Sequence, residues 1–466
     1  MTPRDAEPLT LPAGAGVSAW RALAARGMLW PWMDSLALRL IVGLHLPLSR
    51  AWAAALASEG DPAAFWEGLG QAAPEAGAAR DGVGSAVVAV LRRAAAYREA
   101  EAAWQAAFFG PHRVAPGHLA AVQARRVAAA EALMLTRGRF LRLHLRRRLP
   151  PLRWQIATPA EVEACQGRRL ADPGRAFPAL AAAEVIQSQA SEGRRGDLSW
   201  LRFPAPLGDT AWARVTTPGG IADPPTLIFL HGITIETEMW RDTLDPVAPL
   251  SREGIRVIRP EGPWHGRRRL PGFYGGEPVL GRGPLGLLEL FQNWVAETSA
   301  WIAWARRTSR GPVAVGGISL GALTSQLVLT AARSWPEAQR PDAALLMAGS
   351  GDLLATGYEG ALPAALDLRP RLAEAGWDAA GIAPWLDLLE PRGRPLLAPE
   401  RIFMLIGQAD EVAPAETALA LARRWALPEA NVLLRRHQGH FTLDLGVTTD
   451  PEPLLALARL LKGLEC

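Results

Sequence analysis

The chain has 466 residues, which is more than one ordinary domain contains, so two folded units are the first expectation. Hydrophobic residues make up 49% of it, enough for a large core, and the formal net charge is only +4. The basic residues are almost all arginine, and no nucleic-acid-binding signature accompanies them, so we expect no nucleic-acid partner. The two cysteines, Cys165 and Cys466, are far apart in sequence, which argues against a disulfide framework or a zinc site.

The amino terminus, Met1 to Pro8, has neither the basic start nor the apolar core of a signal peptide. No uninterrupted run reaches the roughly 18 to 20 apolar residues that span a bilayer. The nearest candidate, 36–48, contains Arg39 and His45 and is interpreted as a buried or interfacial helix. The sequence therefore predicts a cytoplasmic protein.

Residues 1–150 are predicted to form a mainly helical N-terminal region, because 87–107 and 121–135 have helical spacing with polar faces. Breaks are expected at five prolines: Pro31, Pro47, Pro62, Pro111 and Pro116. Six tryptophans are expected to pack in a core or between domains, with contact to lipid as the alternative: Trp20, Trp30, Trp32, Trp52, Trp66 and Trp104.

The most basic stretch, 137–148, alternates arginines with leucines. We expect it to pack on the rest of the protein or to face water. The alternative is peripheral contact with an anionic membrane surface. Residues 151–196 are rich in proline and are predicted to be an irregular connecting segment with one or two short helices.

The pattern changes near residue 197. The stretches 198–203 and 211–216 alternate like antiparallel strands. Six short apolar runs follow, at 226–230, 255–259, 312–317, 343–347, 401–406 and 431–436. Helical stretches at 286–307, 320–333, 415–425 and 452–462 alternate with these runs. Strands that alternate with helices predict an α/β fold, with a mostly parallel sheet and helices on both faces.

One of these strands leads directly into a serine between glycines, Gly317-Ile318-Ser319-Leu320-Gly321, and a helical run follows. A strand–turn–helix of this kind exposes a serine hydroxyl at the carboxyl edge of a parallel sheet. Side chains two residues before and after the serine would collide in so tight a turn, which favours glycine at both positions.

Two further residues follow predicted strands downstream. Asp410 follows the run at 401–406 in Gly407-Gln408-Ala409-Asp410, and His440 follows the run at 431–436 after Gly439. With Leu230-His231-Gly232-Ile233, these motifs make residues from about 197 to 463 resemble an α/β-hydrolase domain, in which serine, acid and histidine occur in this order. The resemblance does not extend to the first 195 residues.

The resemblance implies that Ser319 is the nucleophile, His440 the general base and then acid, and Asp410 the residue that orients the imidazole. The alternatives to His440 and Asp410 are His437, Glu411 and Asp387. The backbone N–H groups of Leu320 and Ile233 are expected to bind the oxyanion, and His231 to shape the loop after its strand. No cofactor or metal is expected.

Two other segments bear on the site. The loop 263–269 is expected to be structural, with contact between Arg267, Arg268 or Arg269 and an acidic substrate group as the alternative. Residues 352–400 are predicted to be a lid-like insertion that selects the substrate. The predicted function is hydrolysis of an ester-type bond, a carboxylic ester or alternatively a thioester or amide, in an acyl or lipid-like substrate. The alternatives are an acyltransferase and a non-catalytic binding protein.

Overall fold

The structure is a computed structural model, and it describes residues 31–73, 82–181, 183–234 and 245–464. Two of the tryptophans considered above, Trp20 and Trp30, lie outside the described residues.

The first described helix runs through a proline that was expected to break it. Helix α1 (Pro31–Leu40) continues through a π-helical turn, Ile41–His45, into α2 (Leu46–Ala57). The prediction of a break at Pro47 is therefore wrong. Pro47 lacks the N–H that a regular helix would use, and the wider turn directly before it accommodates the missing hydrogen bond.

The joined helix, Trp32–Ala57, is long and apolar enough to cross a membrane by length and composition. Core helices of soluble proteins meet the same criterion, and 61% of its most apolar stretch is buried inside the protein. Trp52, near the end of α2, is buried among aromatic side chains that include Phe65 and Phe140. This part of the helix is therefore the core of the N-terminal region, whereas Trp32 is 59% exposed.

The rest of the N-terminal region is helical, as predicted. Its helices are α3 (Pro62–Leu69), α4 (Val83–Phe109), α5 (Pro116–Met134) and α6 (Leu141–Arg147). The side chain of Asp61 caps α3 by accepting hydrogen bonds from the N–H groups of Ala63 and Ala64.

The basic stretch 137–148 is divided between interior and surface. Arg137 is buried, and its guanidinium lies 4.5 Å from the ring centre of Trp52. Phe140 and Leu143 are also buried, whereas Leu145 is 72% exposed. Part of the stretch therefore packs on the protein and part faces solvent.

The segment predicted as irregular contributes to the sheet. It contains α7 (Pro159–Leu170) and two short strands, β1 (Ile186–Gln187) and β2 (Ser191–Gly193). Both strands pair antiparallel with β3 (Gly196–Pro204). The sheet therefore begins upstream of residue 197.

Ten strands form one sheet in the order β1-β3-β4-β6-β5-β7-β8-β9-β10, and β2 pairs with β3. The remaining strands are β4 (Thr210–Thr217), β5 (Thr226–Leu230), β6 (Arg256–Pro260), β7 (Val313–Ile318), β8 (Ala343–Met347), β9 (Ile402–Gly407) and β10 (Val432–Arg435). All pairs from β6 to β10 are parallel, and β3 and β4 extend the sheet in antiparallel pairing.

Helices cover both faces of this sheet. They include α9 (Pro284–Thr308), α10 (Leu320–Ala331), α15 (Ala415–Arg424), α16 (His440–Thr449) and α17 (Glu452–Gly463), and the short helix α8 (Glu277–Gly281) directly precedes α9. Alternate side chains of β5 show the two faces, because Ile228 packs in the core that includes Trp294 of α9, whereas Phe229 packs with Leu457 of α17. The predicted mostly parallel sheet with helices on both faces is confirmed.

The insertion between β8 and β9 folds into short helices: α11 (Ala361–Ala365), α12 (Leu368–Glu374), α13 (Ala379–Ile382) and α14 (Leu386–Leu389). Trp377 and Trp385 are buried in it. The indole N–H of Trp377 donates to the carbonyl of Ala157, which lies just before α7. The insertion is thus fixed to the segment that follows the N-terminal helices.

The N-terminal helices also pack on the antiparallel edge of the sheet. The ring of Trp104 in α4 lies 5.2 Å from that of Trp200 in β3 and 6.0 Å from that of Trp212 in β4. Trp104 therefore packs between the N-terminal helices and the sheet, which is one of the two packing positions predicted for it from the sequence.

Candidate active site

Ser319 lies at the sharp turn between β7 and α10, with φ 54° and ψ −118°. L-residues rarely adopt positive φ, so this conformation is strained and must be held by its surroundings. A Cβ atom on Gly317 would lie 2.8 Å from the carbonyl oxygen of Leu230, and one on Gly321 would collide with the same carbonyl. The same Cβ on Gly317 would lie 2.5 Å from the carbonyl oxygen of Gly321, so the glycines are required both by the tightness of the turn and by its packing against the end of β5.

The structure brings Ser319, His440 and Asp410 into one hydrogen-bonded chain. The Oγ of Ser319 lies 2.9 Å from Nε2 of His440, and Nδ1 of His440 lies 2.8 Å from Oδ2 of Asp410. The other oxygen of Asp410 accepts hydrogen bonds from the N–H groups of Val412 and Ala413. With Nδ1–H directed to the carboxylate, Nε2 is free to accept the serine proton.

The charges around His440 favour its protonated form. Burial lowers the pKa of His440, but the carboxylate of Asp410 outweighs it, with help from Asp34 and Asp444, so that the pKa lies above its usual value. A histidine that becomes charged while it holds the serine proton is stabilised by this arrangement.

The alternative candidates lie elsewhere. His437 is exposed in the turn after β10, and Glu411 is exposed next to Asp410. Asp387 is in the insertion, where its carboxylate pairs with Arg392 at 2.9 Å. Of the histidines and acids considered from the sequence, only His440 and Asp410 are joined to Ser319.

The two predicted oxyanion donors flank the serine. Leu320 is the first residue of α10, where backbone N–H groups have no partner within the helix and the helix dipole favours negative charge. Ile233 follows the end of β5 and lines the same cavity as Ser319 and Leu320. Both residues therefore border the space beside Ser319.

Two buried histidines hold the loop that contains Ile233. Nε2 of His231 accepts the N–H of Gly262 at 2.9 Å, so its Nδ1–H donates to the carbonyl of Gly232 at 2.7 Å. Burial lowers the pKa of His231 to about 4, which keeps it neutral and able to accept. This is the loop-shaping contact expected of His231.

The second of these histidines, His265, was not recognised from the sequence. Its Nε2 accepts the N–H of Thr234 at 3.3 Å, directly after Ile233, and its Nδ1 bonds the carbonyl of Pro263 at 2.9 Å. Burial holds the pKa of His265 well below its usual value. A signal for it was available, because His265 lies in a loop after a predicted strand.

Two of the three arginines of the same loop are engaged in ion pairs away from the serine, and the guanidinium of the third, Arg269, lies 4.6 Å from the ring centre of Trp52. Arg267 pairs with Glu261 and Glu101, and Arg268 pairs with Glu297 at 2.7 Å and with Asp209 at 2.7 Å. They line a separate cavity of about 480 Å³ between the N-terminal helices and the sheet, which does not include Ser319. The structural interpretation of this loop therefore fits the structure better than contact with a substrate at Ser319.

An apolar cavity of about 120 Å³ opens at Ser319. The insertion forms much of its wall, through side chains that include Leu354, Leu362, Leu372 and Leu386, while α9 provides Pro284 and Leu287. The site therefore combines a polar chain of three residues with an almost entirely apolar neighbouring space. Within the described parts of the chain, no group of His, Cys, Asp or Glu is arranged to hold a metal ion.

Comparison with known proteins agrees with the fold. Residues 227–457 match the family model described as "Alpha/beta hydrolase family". The match and the sheet topology identify this part of the chain as an α/β-hydrolase domain. No curated protein sequence matches the chain.

Solved structures with a similar fold include esterases and peptidases. An acetyl xylan esterase from Paenibacillus sp. R4 is 16% identical, with a TM-score of 0.46 over 66% of this chain and 97% of that one. Acetyl xylan esterase 1 from Thermoanaerobacterium sp. is 15% identical, with a TM-score of 0.43 over 63% and 96%. A puromycin-hydrolyzing peptidase of Mycobacterium tuberculosis is 19% identical, with a TM-score of 0.42 over 58% and 40%.

Proposed function

We propose that this protein is a serine hydrolase that cleaves carboxylic esters through an acyl-enzyme on Ser319. The observation that supports it most is the chain of hydrogen bonds from Ser319 through His440 to Asp410, at 2.9 and 2.8 Å. A serine hydroxyl becomes a strong nucleophile when a neighbouring base takes its proton and a carboxylate holds that base in place.

In the proposed reaction, Oγ of Ser319 attacks the ester carbonyl while its proton passes to Nε2 of His440. The oxyanion that forms is bound by the N–H groups of Leu320 and Ile233. The intermediate then expels the alcohol, which takes the proton from His440, and Ser319 remains acylated. A water molecule activated by His440 attacks the acyl group, which leaves as a carboxylic acid and restores Ser319.

The apolar cavity beside Ser319 is the proposed acyl site. Its volume of about 120 Å³ is close to the roughly 150 Å³ of a buried apolar cavity that accepts benzene. A compact acyl group of that size would fill it, whereas a long fatty acyl chain would have to extend out of it. We therefore place the substrate among esters of short or compact apolar acids, with the insertion 352–400 acting as the selecting element.

The proposal is tested by labelling the purified protein with a fluorophosphonate probe, which reacts only with an activated serine. Labelling of the wild type should disappear in Ser319→Ala and fall sharply in His440→Ala. The variant Ser334→Ala, which changes an exposed serine outside the cavity, should be labelled like the wild type. Among p-nitrophenyl esters, acetate and butyrate should have higher kcat/KM than octanoate and palmitate.

A folded wild-type protein that is neither labelled nor cleaves any of these esters would contradict the proposal and favour a non-catalytic binding protein. Preference for transfer of the acyl group to an added alcohol over water would instead favour an acyltransferase on the same residues.

A further inference from the structure

One carboxylate from the N-terminal region reaches the helix that contains the candidate base. Asp34 in α1 accepts hydrogen bonds from the N–H groups of Gly439 at 3.2 Å, Phe441 at 2.5 Å and Thr442 at 3.2 Å. It also accepts the hydroxyl proton of Thr442 at 2.5 Å. Asp34 is only 9% exposed, so these bonds form largely away from water.

These are the groups that a helix cannot satisfy by itself. The first N–H groups of an α-helix have no partner within the helix and are usually bound by a side chain from the residue before it. Here that residue is Gly439, which has no side chain, and a Cβ atom on it would lie 2.7 Å from Cγ of Asp34. The Asp34 carboxylate therefore occupies the position that a capping side chain at residue 439 would take, although Asp34 lies more than 400 residues away in sequence.

The helix in question begins at His440 itself. A change in the direction of its first turn moves the imidazole relative to Ser319, and both hydrogen bonds of His440 depend on that direction. We infer that Asp34 is a positioning residue for His440, so that the N-terminal region completes the active site. This inference rests on the proposed function for its effect on the reaction.

Asp34 acts on His440 in two ways that can be separated. It fixes the first turn of α16, and its negative charge joins those of Asp410 and Asp444 in raising the pKa of His440. Asp444 is itself a titrating group, because burial raises its pKa to about 6 against the opposing charges of Arg259 and His440. Removing only the charge of Asp34 should therefore lower the pKa of His440, because one of the groups that stabilise its protonated form is lost.

The first test is the pH dependence of p-nitrophenyl butyrate hydrolysis by Asp34→Asn. The amide cannot accept all four hydrogen bonds, because one of its two polar atoms is a donor. We expect kcat to fall by up to about 100-fold, the loss typical of misplaced catalytic groups. KM should change little, because Asp34 does not line the cavity. The acidic limb of kcat/KM should move to lower pH.

A second variant separates geometry from charge. Thr442→Val removes the hydroxyl that bonds both Asp34 and the N–H of Gly439 but leaves the Asp34 carboxylate in place. We expect kcat to fall while the acidic limb stays where it is in the wild type. This small change also keeps the inference testable if Asp34→Asn does not fold.

The matched control is Asp61→Asn. Asp61 also caps a helix of the N-terminal region through two backbone N–H groups, but that helix does not contain His440. It should leave kcat and the pH profile unchanged. Wild-type kcat and an unmoved acidic limb in Asp34→Asn, or equal losses in Asp34→Asn and Asp61→Asn, would overturn the inference.

A readout without catalysis separates this inference from the proposed function. The pKa of His440 can be followed by NMR titration in Ser319→Ala, with and without Asp34→Asn. A lower pKa in the double variant supports the role of Asp34 even if the wild type cleaves no ester, and an unchanged pKa overturns it. Absence of labelling and hydrolysis in the wild type overturns only the proposed function.

Discussion

The backbone at Ser319 is held in a conformation that costs roughly 1–3 kcal/mol. The strand β7 before it and the helix α10 after it hold this conformation, while Gly317 and Gly321 let the turn pack against the carbonyl of Leu230. The result is a hydroxyl that projects at the end of the sheet, within 2.9 Å of the imidazole of His440. The strained backbone therefore determines where the hydroxyl points. At an unstrained helix start, the serine side chain would lie along the surface of the helix and would not project from the end of the sheet.

The substitution Asp410→Asn tests the role of the carboxylate in the hydrogen-bonded chain from Ser319 to Asp410. The amide can direct its NH₂ group at Nδ1 of His440, which favours the tautomer with the proton on Nε2 and prevents acceptance of the serine proton. We expect kcat to fall roughly 10³–10⁴-fold. The pKa of His440 should also fall, because Asp410 is the main group that raises it. Steady-state kinetics from pH 5 to 9 measures both effects.

The neighbouring exposed acid provides the control. Glu411→Gln removes one negative charge beside Asp410 and should leave kcat near the wild-type value. If Glu411→Gln caused the larger loss, the assignment of the acid would be wrong.

Most elements of the sheet could be predicted because each is encoded by a local pattern. The apolar runs that predicted strands at 226–230 and 343–347 coincide with β5 and β8. Ser319, Asp410 and His440 each follow such a run. Since the carboxyl ends of parallel strands lie at one edge of a sheet, their proximity follows from the order of the elements.

Features made by distant parts of the chain could not be predicted in this way. Asp34 is one acid in a helical stretch, and its partners are backbone amides that leave no trace in the sequence pattern. The continuation of the helix through Pro47 depends on a π-helical turn, which periodicity does not reveal. The role of His265 depends on the N–H of Thr234, a contact between two loops.

The insertion between β8 and β9 forms a wall of the cavity, and Leu386→Ala tests its proposed role in selecting the acyl group. Leu386 lines the cavity beside Ser319, so a shorter side chain enlarges the space available to the acyl chain. We expect the ratio of kcat/KM for hexanoate over acetate esters to rise about tenfold or more, since one methylene group in an apolar pocket is worth about 10- to 200-fold.

The control for this substitution is Leu396→Ala in the same insertion. Leu396 is also half-buried but does not line the cavity. Its acyl preference should match that of the wild type. An unchanged preference in Leu386→Ala would contradict the assignment of this cavity as the acyl site.

At the scale of the whole molecule, a buried ion pair joins the N-terminal region to the hydrolase domain. Arg50 in α2 lies 3.0 Å from Glu277 in α8, with side chains 1% and 0% exposed. Arg50→Met leaves the Glu277 carboxylate buried without its main counter-charge. We expect the free energy of unfolding to fall by about 3–5 kcal/mol, measured by denaturant unfolding of the full chain.

Two further variants test whether the unpaired buried charge causes the loss of stability in Arg50→Met. Arg50→Met combined with Glu277→Gln should recover part of the loss, because no unpaired buried charge remains. Arg125→Met breaks an ion pair with Glu99 whose side chains are 63% and 71% exposed, and it should change stability little. A loss in Arg50→Met as small as that in Arg125→Met would show that the pair does not hold the two regions together.

The long separation in sequence between Asp34 and the first turn of α16 also affects when activity can first appear during synthesis of the chain. Asp34 is synthesised 405 residues before Gly439. At 5–20 residues per second, it leaves the ribosome roughly 20–80 s before the amides that it binds. During that time Ser319 and most of the cavity wall have already been synthesised, but His440 and the amides that Asp34 binds are still missing. Hydrolytic activity should therefore appear only after His440 and the first turn of α16 have left the ribosome.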